Sequence, residues 1–190
     1  MRRTRTFIGF ALPRDMVAKV AALQDELRKA HPGVHWVEPA NIHLTLLFLG
    51  DLDDRELVDV CRVVDRIAAK EEPIGIALSG VGAFPTPRRP KTLWAGVSIG
   101  ADDVLDLHSK VEGALVEKKL YVRDVRGFVP HVTLGRVQND EASQAIAPLL
   151  PALETWEGGK ALLSEAIVYR SDLRRDGPEY TVMGRGSLRG

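Results

Sequence analysis

One four-residue pattern occurs twice in this chain of 190 residues, as His43-Leu44-Thr45-Leu46 and as His131-Val132-Thr133-Leu134. Each copy alternates polar and apolar side chains, the period of an extended strand. His43 and Thr45 therefore share one face of their strand, and His131 and Thr133 share one face of theirs. The leucines and Val132 point to the opposite faces. The surroundings rhyme too. Each copy follows a short strand and a proline-bearing loop, and each precedes a helical segment. Two similar lobes are expected, and if their polar faces line one cleft, two imidazoles and two hydroxyls converge there.

The rest of the chain is read around these strands. Residues 4–12 form a first strand. Pro13 opens a helix in the position where its missing N–H costs nothing. Met16, Val17, Val20, Leu23 and Leu27 line its apolar side, Gln24, Asp25, Arg28 and Lys29 fall between them, and the helix ends near His31-Pro32-Gly33. Val34 to Val37 make a short strand, and a turn at Glu38-Pro39-Ala40-Asn41 leads into the strand His43 to Leu49, stopped by Gly50. Asp53 and Asp54 can cap a second helix with Leu57, Val60, Cys61, Val64 and Ile67 on its apolar face. Ile74 to Leu78 and Leu93 to Ile99 read as strands, and three prolines between Phe84 and Lys91 are expected to prevent regular structure there. A third helix runs from Asp102 to Lys119 with Val104, Leu107, Val111 and Leu115 on one side. Short strands are expected at Leu120 to Val122 and from His131 to Val137, and a short helix from Glu141 to Leu149. Two final strands, Ala161 to Tyr169 and Tyr180 to Leu188, are joined by a loop around Asp176-Gly177-Pro178. Strands often follow one another without a crossover helix, so the fold class is α+β. The expected architecture is a single domain over residues 1–190, made of two pseudo-symmetric lobes. Each lobe is a mainly antiparallel sheet with helices packed outside, and the cleft lies between the lobes.

Composition removes several function classes. Twenty-six basic residues balance 26 acidic ones, so overall charge cannot drive broad nucleic-acid binding, although a local basic site is still allowed. Cys61 is the single cysteine, which excludes an intrachain disulfide and argues against a thiolate zinc site. The opening Met1-Arg2-Arg3-Thr4-Arg5 is basic, but no apolar run of signal length follows, and no stretch approaches membrane-spanning length. A cytoplasmic protein with no membrane association is expected. Neither a glycine-rich dinucleotide fingerprint nor a Walker-type loop is present.

The paired motifs resemble those of the 2H phosphoesterase superfamily. Within it the chain is similar to the bacterial and archaeal RNA 2′,3′-cyclic phosphodiesterases, also called 2′-5′ RNA ligases. The likeness runs through Phe7-Ile8, Trp36-Val37, Asn41 to Leu46, Phe48-Leu49-Gly50 and Gly82-Ala83-Phe84-Pro85. It continues through Arg88-Arg89-Pro90-Lys91, Leu93 to Val97, Pro130 to Val137, Tyr169-Arg170-Ser171 and Tyr180. The resemblance implies that His43 protonates the leaving ribose oxygen and His131 activates water. It also implies an RNA 2′-phosphomonoester product, and 2′-5′ ligation when the site runs backwards. Val129 stands where some relatives carry a basic residue, so a phosphate contact from that position is not expected.

The residue types suit such chemistry. Opening a cyclic phosphate needs one group to take a proton and another to give one near neutral pH. Histidine, with an ordinary pKa of ~6.5, does both. Thr45 and Thr133 can hydrogen-bond the non-bridging phosphate oxygens. No cofactor is expected, and no metal either, since neither histidine has a ligand cluster beside it. The expected partner is RNA bearing a 2′,3′-cyclic phosphate terminus, bound by a monomer. Arg88, Arg89 and Lys91 are open to two readings, a loop holding RNA phosphates at the cleft or a solvated surface loop. Strict alternation puts Arg136 on the face opposite His131, so it reaches the site only at a strand end or a bulge. Phe128 and Tyr169 are candidates for stacking on a base, or for packing. Trp36 and Trp94 are assigned to the core, and Cys61 is read as a small buried hydrophobe. His31, His35 and His108 are read as non-catalytic. A phosphodiesterase for small cyclic nucleotides and a non-enzymatic RNA-binding module are the competing readings, with a metallohydrolase behind them.

Overall fold

The computed structural model describes residues 3–124, 127–174 and 177–190; Met1, Arg2 and Asp176, read above, lie outside them. The described strands are β1 (Thr4–Ala11), β2 (Val34–Trp36), β3 (His43–Leu52), β4 (Ile74–Thr86), β5 (Arg89–Ile99), β6 (His131–Val137), β7 (Glu157–Leu163), β8 (Glu165–Arg174) and β9 (Gly177–Ser187). The helices are α1 (Arg14–Arg28), α2 (Asp54–Ala68), α3 (Ala101–Glu117) and α4 (Asp140–Ile146). The strands form one sheet in the order β7-β4-β5-β6-β3-β1-β8-β9, with β2 added on β6. Every pairing is antiparallel. The α+β reading therefore holds, as one curled antiparallel sheet with helices. The curl has a local cause. Ser164 alone separates β7 from β8, yet these strands stand near opposite ends of the order, and a flat sheet could not place them one residue apart.

The helices form where the apolar spacing requires. α1 buries Met16, Val20, Leu23, Gln24 and Leu27, and α3 buries Val104, Leu107, Val111 and Leu115. Asp53 caps α2 by accepting from the amides of Arg55 and Glu56, and Glu56 accepts from the Asp53 amide in return. The chain meanwhile alternates strand and helix as β1-α1 then β3-α2, and again as β5-α3 then β6-α4. Each series thus leads a helix out of a strand next to the centre of the sheet and then out of a central strand.

Four expectations are corrected. The proline-rich stretch is not irregular: β4 and β5 run through it as a long hairpin. Pro85 and Pro90 are register partners, so two missing amide donors fall on one rung, and Pro87 sits in the turn, where no ladder donor is needed. Leu120 to Val122 is not a strand. The apolar stretch from Ala161 to Tyr169 is divided between β7 and β8, because the chain reverses at Ser164. Finally, Cys61 is only half-buried, packed against Gly184, where an added Cβ would lie 2.7 Å from its sulfur. One smaller difference is that β3 continues through Gly50, which takes φ +75°.

Candidate active site

β3 and β6 touch through one register pair, Leu44 with Val132. Beyond it β3 follows β1 and β6 follows β5, so the two motif strands are the hub at which the halves of the sheet meet. Burial along residues 43–48 and 131–136 runs in the same order: half-buried, buried, half-buried, buried, buried, exposed. Two consecutive inward residues break the alternation in both strands. The ladder to β1 skips Leu46, and the ladder to β5 skips Leu134, which marks a β-bulge in each. The bulges return Phe48 and Arg136 to the open face that carries the histidines. Arg136 acts electrostatically on both His131 and Tyr180. The condition set for Arg136 by alternation is thereby met.

Gln24 secures the second bulge. Its amide donates to the carbonyls of Leu134 and Val37, both at 2.8 Å, and the Leu134 carbonyl also accepts from the Val37 amide at 2.9 Å. Alternation treats Gln24 as a polar residue between apolar ones. Its place four residues after Val20, itself four after Met16, was the available sign that it faces inward.

The two histidines are held alike. His43 Nδ1 donates to the Asn41 carbonyl and His131 Nδ1 donates to the Val129 carbonyl, each at 2.7 Å. In both cases the acceptor is two residues earlier, and the Nδ1 proton is committed, so Nε2 is the ring nitrogen that can gain or lose a proton. Thr45 Oγ1 lies 2.9 Å from His43 Nε2 and donates to it when the imidazole is neutral. Asn41 is itself anchored, its side chain donating to the Pro178 carbonyl at 2.7 Å.

Aromatic rings wall both imidazoles. His43 lies 4.9 Å from the Phe7 ring, 5.3 Å from Tyr180 edge-on, and 6.4 Å from Tyr169. Gly9 makes room for it: a Cβ there would stand 2.7 Å from the Leu44 carbonyl and 3.4 Å from the His43 ring. His131 meets Phe84 edge-on at 5.1 Å and Trp94 at 6.2 Å. Trp94 is therefore half-buried beside His131 and is not a residue of the closed core, whereas Trp36 is buried as expected. The indole of Trp94 lies flat over Gly82, where a Cβ would be 2.3 Å away.

These walls set the protonation states. Burial holds both histidines below their ordinary range. The Asn41 and Val129 carbonyls oppose that shift, and His131 adds to it at His43, as Arg136 does at His131. Burial also raises the phenols of Tyr169 and Tyr180, which keeps them as neutral hydroxyls.

The remaining candidates divide. Tyr169 stacks on Phe7 at 5.0 Å and borders, with His43, Asn41 and Tyr180, a cavity of about 760 Å³. Phe128 packs one ring face parallel to His108 at 4.2 Å and is half-buried. Arg88, Arg89 and Lys91 are exposed at the β4–β5 tip and line another cavity, of about 490 Å³, with Gln138 and Asn139. That cavity contains neither histidine. Among the described residues no cluster of three or more His, Cys, Asp or Glu gathers to hold a metal. Among them, too, no helix is long and apolar enough to cross a membrane.

The two histidine–threonine strands meet at the hub of the curled sheet, and the comparisons put the chain among phosphoesterases. The family described as LigT like Phosphoesterase matches residues 10–94, which hold the first motif. The chain is 32% identical over 183 residues to a protein of Aquifex aeolicus (strain VF5) named RNA 2′,3′-cyclic phosphodiesterase, with 96% of each covered. It is 34% identical over 181 residues to a protein of the same name from Methanothermobacter thermautotrophicus, covering 95% of this chain and 97% of the relative. A crystal structure of a Thermus thermophilus protein superposes with a TM-score of 0.82 at 31% identity, covering 98% of both chains. Escherichia coli LigT complexed with 3′-AMP shares the fold at a TM-score of 0.80 and 20% identity, covering 100% of both. The chain belongs to the LigT-like phosphoesterases of the 2H superfamily.

Proposed function

We propose that this protein hydrolyses the 2′,3′-cyclic phosphate ends of RNA to 2′-phosphomonoesters, with His43 as general acid and His131 as general base. The observation that carries the reading is the matched pair of imidazoles, each with its Nδ1 proton tied to a carbonyl, so that proton exchange falls to Nε2. Water attacks phosphorus as His131 Nε2 takes its proton. The bond from phosphorus to the ribose 3′-oxygen breaks, and that oxygen takes a proton from His43 Nε2. A 5′-hydroxyl in place of water gives a 2′-5′ linkage by the same transfers. Arg136 supports the assignment, because a cation beside His131 favours its neutral form, which a base requires. The bound phosphate carries negative charge, so it raises both imidazoles and lets His43 enter the reaction protonated.

Thr45, Thr133 and Arg136 hold the non-bridging oxygens, and Tyr169 walls the His43 side. Arg88, Arg89 and Lys91 bind phosphates farther along the RNA, which fits their separate exposed cavity. The protein acts as a monomer, and in the cytoplasm, a reducing compartment that a chain with one cysteine fits. The test is an oligonucleotide ending in a 2′,3′-cyclic phosphate, incubated in chelator, with products resolved as 2′- or 3′-monoester. Turnover to the 2′-monoester is the result expected. No turnover, or turnover lost only in chelator, overturns the reading.

A further inference from the structure

We propose that His108 is a positioning residue for His131: its imidazole, stacked on Phe128, holds the Val129 carbonyl against His131 Nδ1. This rests on the proposed role of His131 as base, and it adds what keeps that base in place. The two motif histidines are matched at Nδ1, but their acceptors are secured differently. The Asn41 carbonyl belongs to a short 3₁₀ turn, Pro39–Asn41. The Asn41 amide closes that turn on the Glu38 carbonyl at 2.8 Å, and the Asn41 side chain anchors it to Pro178. The Val129 carbonyl lies within residues 127–130, which belong to no helix or strand, and Val129 itself is 49% exposed. A carbonyl in such a segment orients an imidazole only when the segment is fixed from elsewhere.

α3 supplies the fixing. The chain leaving it turns at Lys119, which takes φ +58°, and comes back along one helix face. The Leu120 amide donates to the Leu115 carbonyl at 2.9 Å. Arg123 Nε then pairs with Glu112 Oε2 at 2.8 Å. Phe128 lies on His108, the ring centroids 4.2 Å and the planes 10° apart. Later residues of the segment thus meet earlier residues of the helix, and Leu115, Glu112 and His108 share one face by helical spacing. The Glu112 carboxylate is buried, so its pairing with Arg123 answers a desolvation cost. The last attachment is made by the residue next to Val129. Burial holds His108 below the ordinary histidine range, with Glu112 opposing that shift and Arg123 adding to it. The ring is therefore neutral near neutral pH and packs on Phe128 as a second aromatic would. The stack fixes Phe128, and through it the peptide that presents the Val129 carbonyl. His108 acts through that peptide and not on the substrate.

The experiment titrates the imidazoles by NMR in the ligand-free protein, comparing the wild type with His108→Ala, His108→Leu, His108→Phe and Phe128→Leu. The Val129 carbonyl favours protonated His131, so loosening it makes His131 titrate at lower pH in His108→Ala and His108→Leu. His43 stays where it was. Arg136 and His43, the other groups that act on His131, are unchanged by these substitutions. On a cyclic-phosphate oligonucleotide kcat falls about tenfold while KM changes less than about twofold, because the base and not the substrate is displaced. His108→Phe keeps a flat ring and returns both readouts to the wild-type values. Phe128→Leu removes the stack from the other side and repeats the His108→Ala result, which decides the matter even where His108→Ala does not fold. An unmoved His131, an equal shift of His43 and His131, or a His108→Phe as impaired as His108→Ala overturns the proposal. Failure of the wild type to hydrolyse the oligonucleotide bears on the reaction alone, and the titration still decides the role of His108.

Discussion

His43 and His131 start from the same handicap, since burial disfavours the charged form of each. The proposed mechanism needs a neutral base and a protonated acid, so it predicts an acid limb of kcat/KM that follows His131 and a basic limb that follows His43. Both limbs are pulled below the ordinary histidine value of ~6.5, and the optimum of kcat/KM falls on the acid side of that value. The kcat optimum lies at higher pH than the kcat/KM optimum, because bound phosphate raises both groups. Pre-steady-state and steady-state pH profiles check both points. Arg136→Ala removes a cation that lowers His131, so the acid limb moves to higher pH as turnover falls. An unmoved limb would separate Arg136 from the base. His43→Ala and His131→Ala each reduce kcat by roughly 100-fold or more, the scale of general acid–base catalysis.

At the scale of elements, the bulges and their supports matter most. Gly9→Ala inserts a Cβ 2.7 Å from the Leu44 carbonyl and against the His43 ring. The expected cost is about 1–3 kcal/mol, read from a denaturant midpoint, together with lower kcat because the imidazole must move. Gln24→Ala strips a shared donor from the Leu134 and Val37 carbonyls, at an expected ~1–3 kcal/mol. The motif strands themselves were legible, because a two-residue period survives in sequence wherever one face is buried. The bulges were not. Leu46-Leu47 reads as an ordinary apolar run, and only the ladder shows which of the two residues is passed over. The same blindness merged β7 with β8, since Ser164-Glu165 is only a two-residue polar break between Leu162-Leu163 and Ala166-Ile167, too short to mark a reversal in hydropathy.

Across the whole molecule, three histidines are held below their ordinary range by burial: His43, His108 and His131. The unfolded chain binds protons at ~6.5 where the folded chain does not, so stability rises with pH through the interval below 6.5 and levels off above it. Urea midpoints at pH 5 and pH 7.5 check the sign, and the difference shrinks when His108 is replaced by Gln. The α+β class, and the two motif strands with one face buried, could be read from residue pattern. The strand order could not. Joining β7 to β8 through one residue is a long-range constraint that only the curled sheet satisfies.

The matched burial of β3 and β6 carries one more consequence. Two interchangeable imidazoles cannot by themselves tell an entering oxygen from a departing one; a mirror-minded active site would accept its substrate either way round. Polarity has to come from whatever spoils the likeness. At corresponding positions that is a neutral ring at Phe48 and a cation at Arg136.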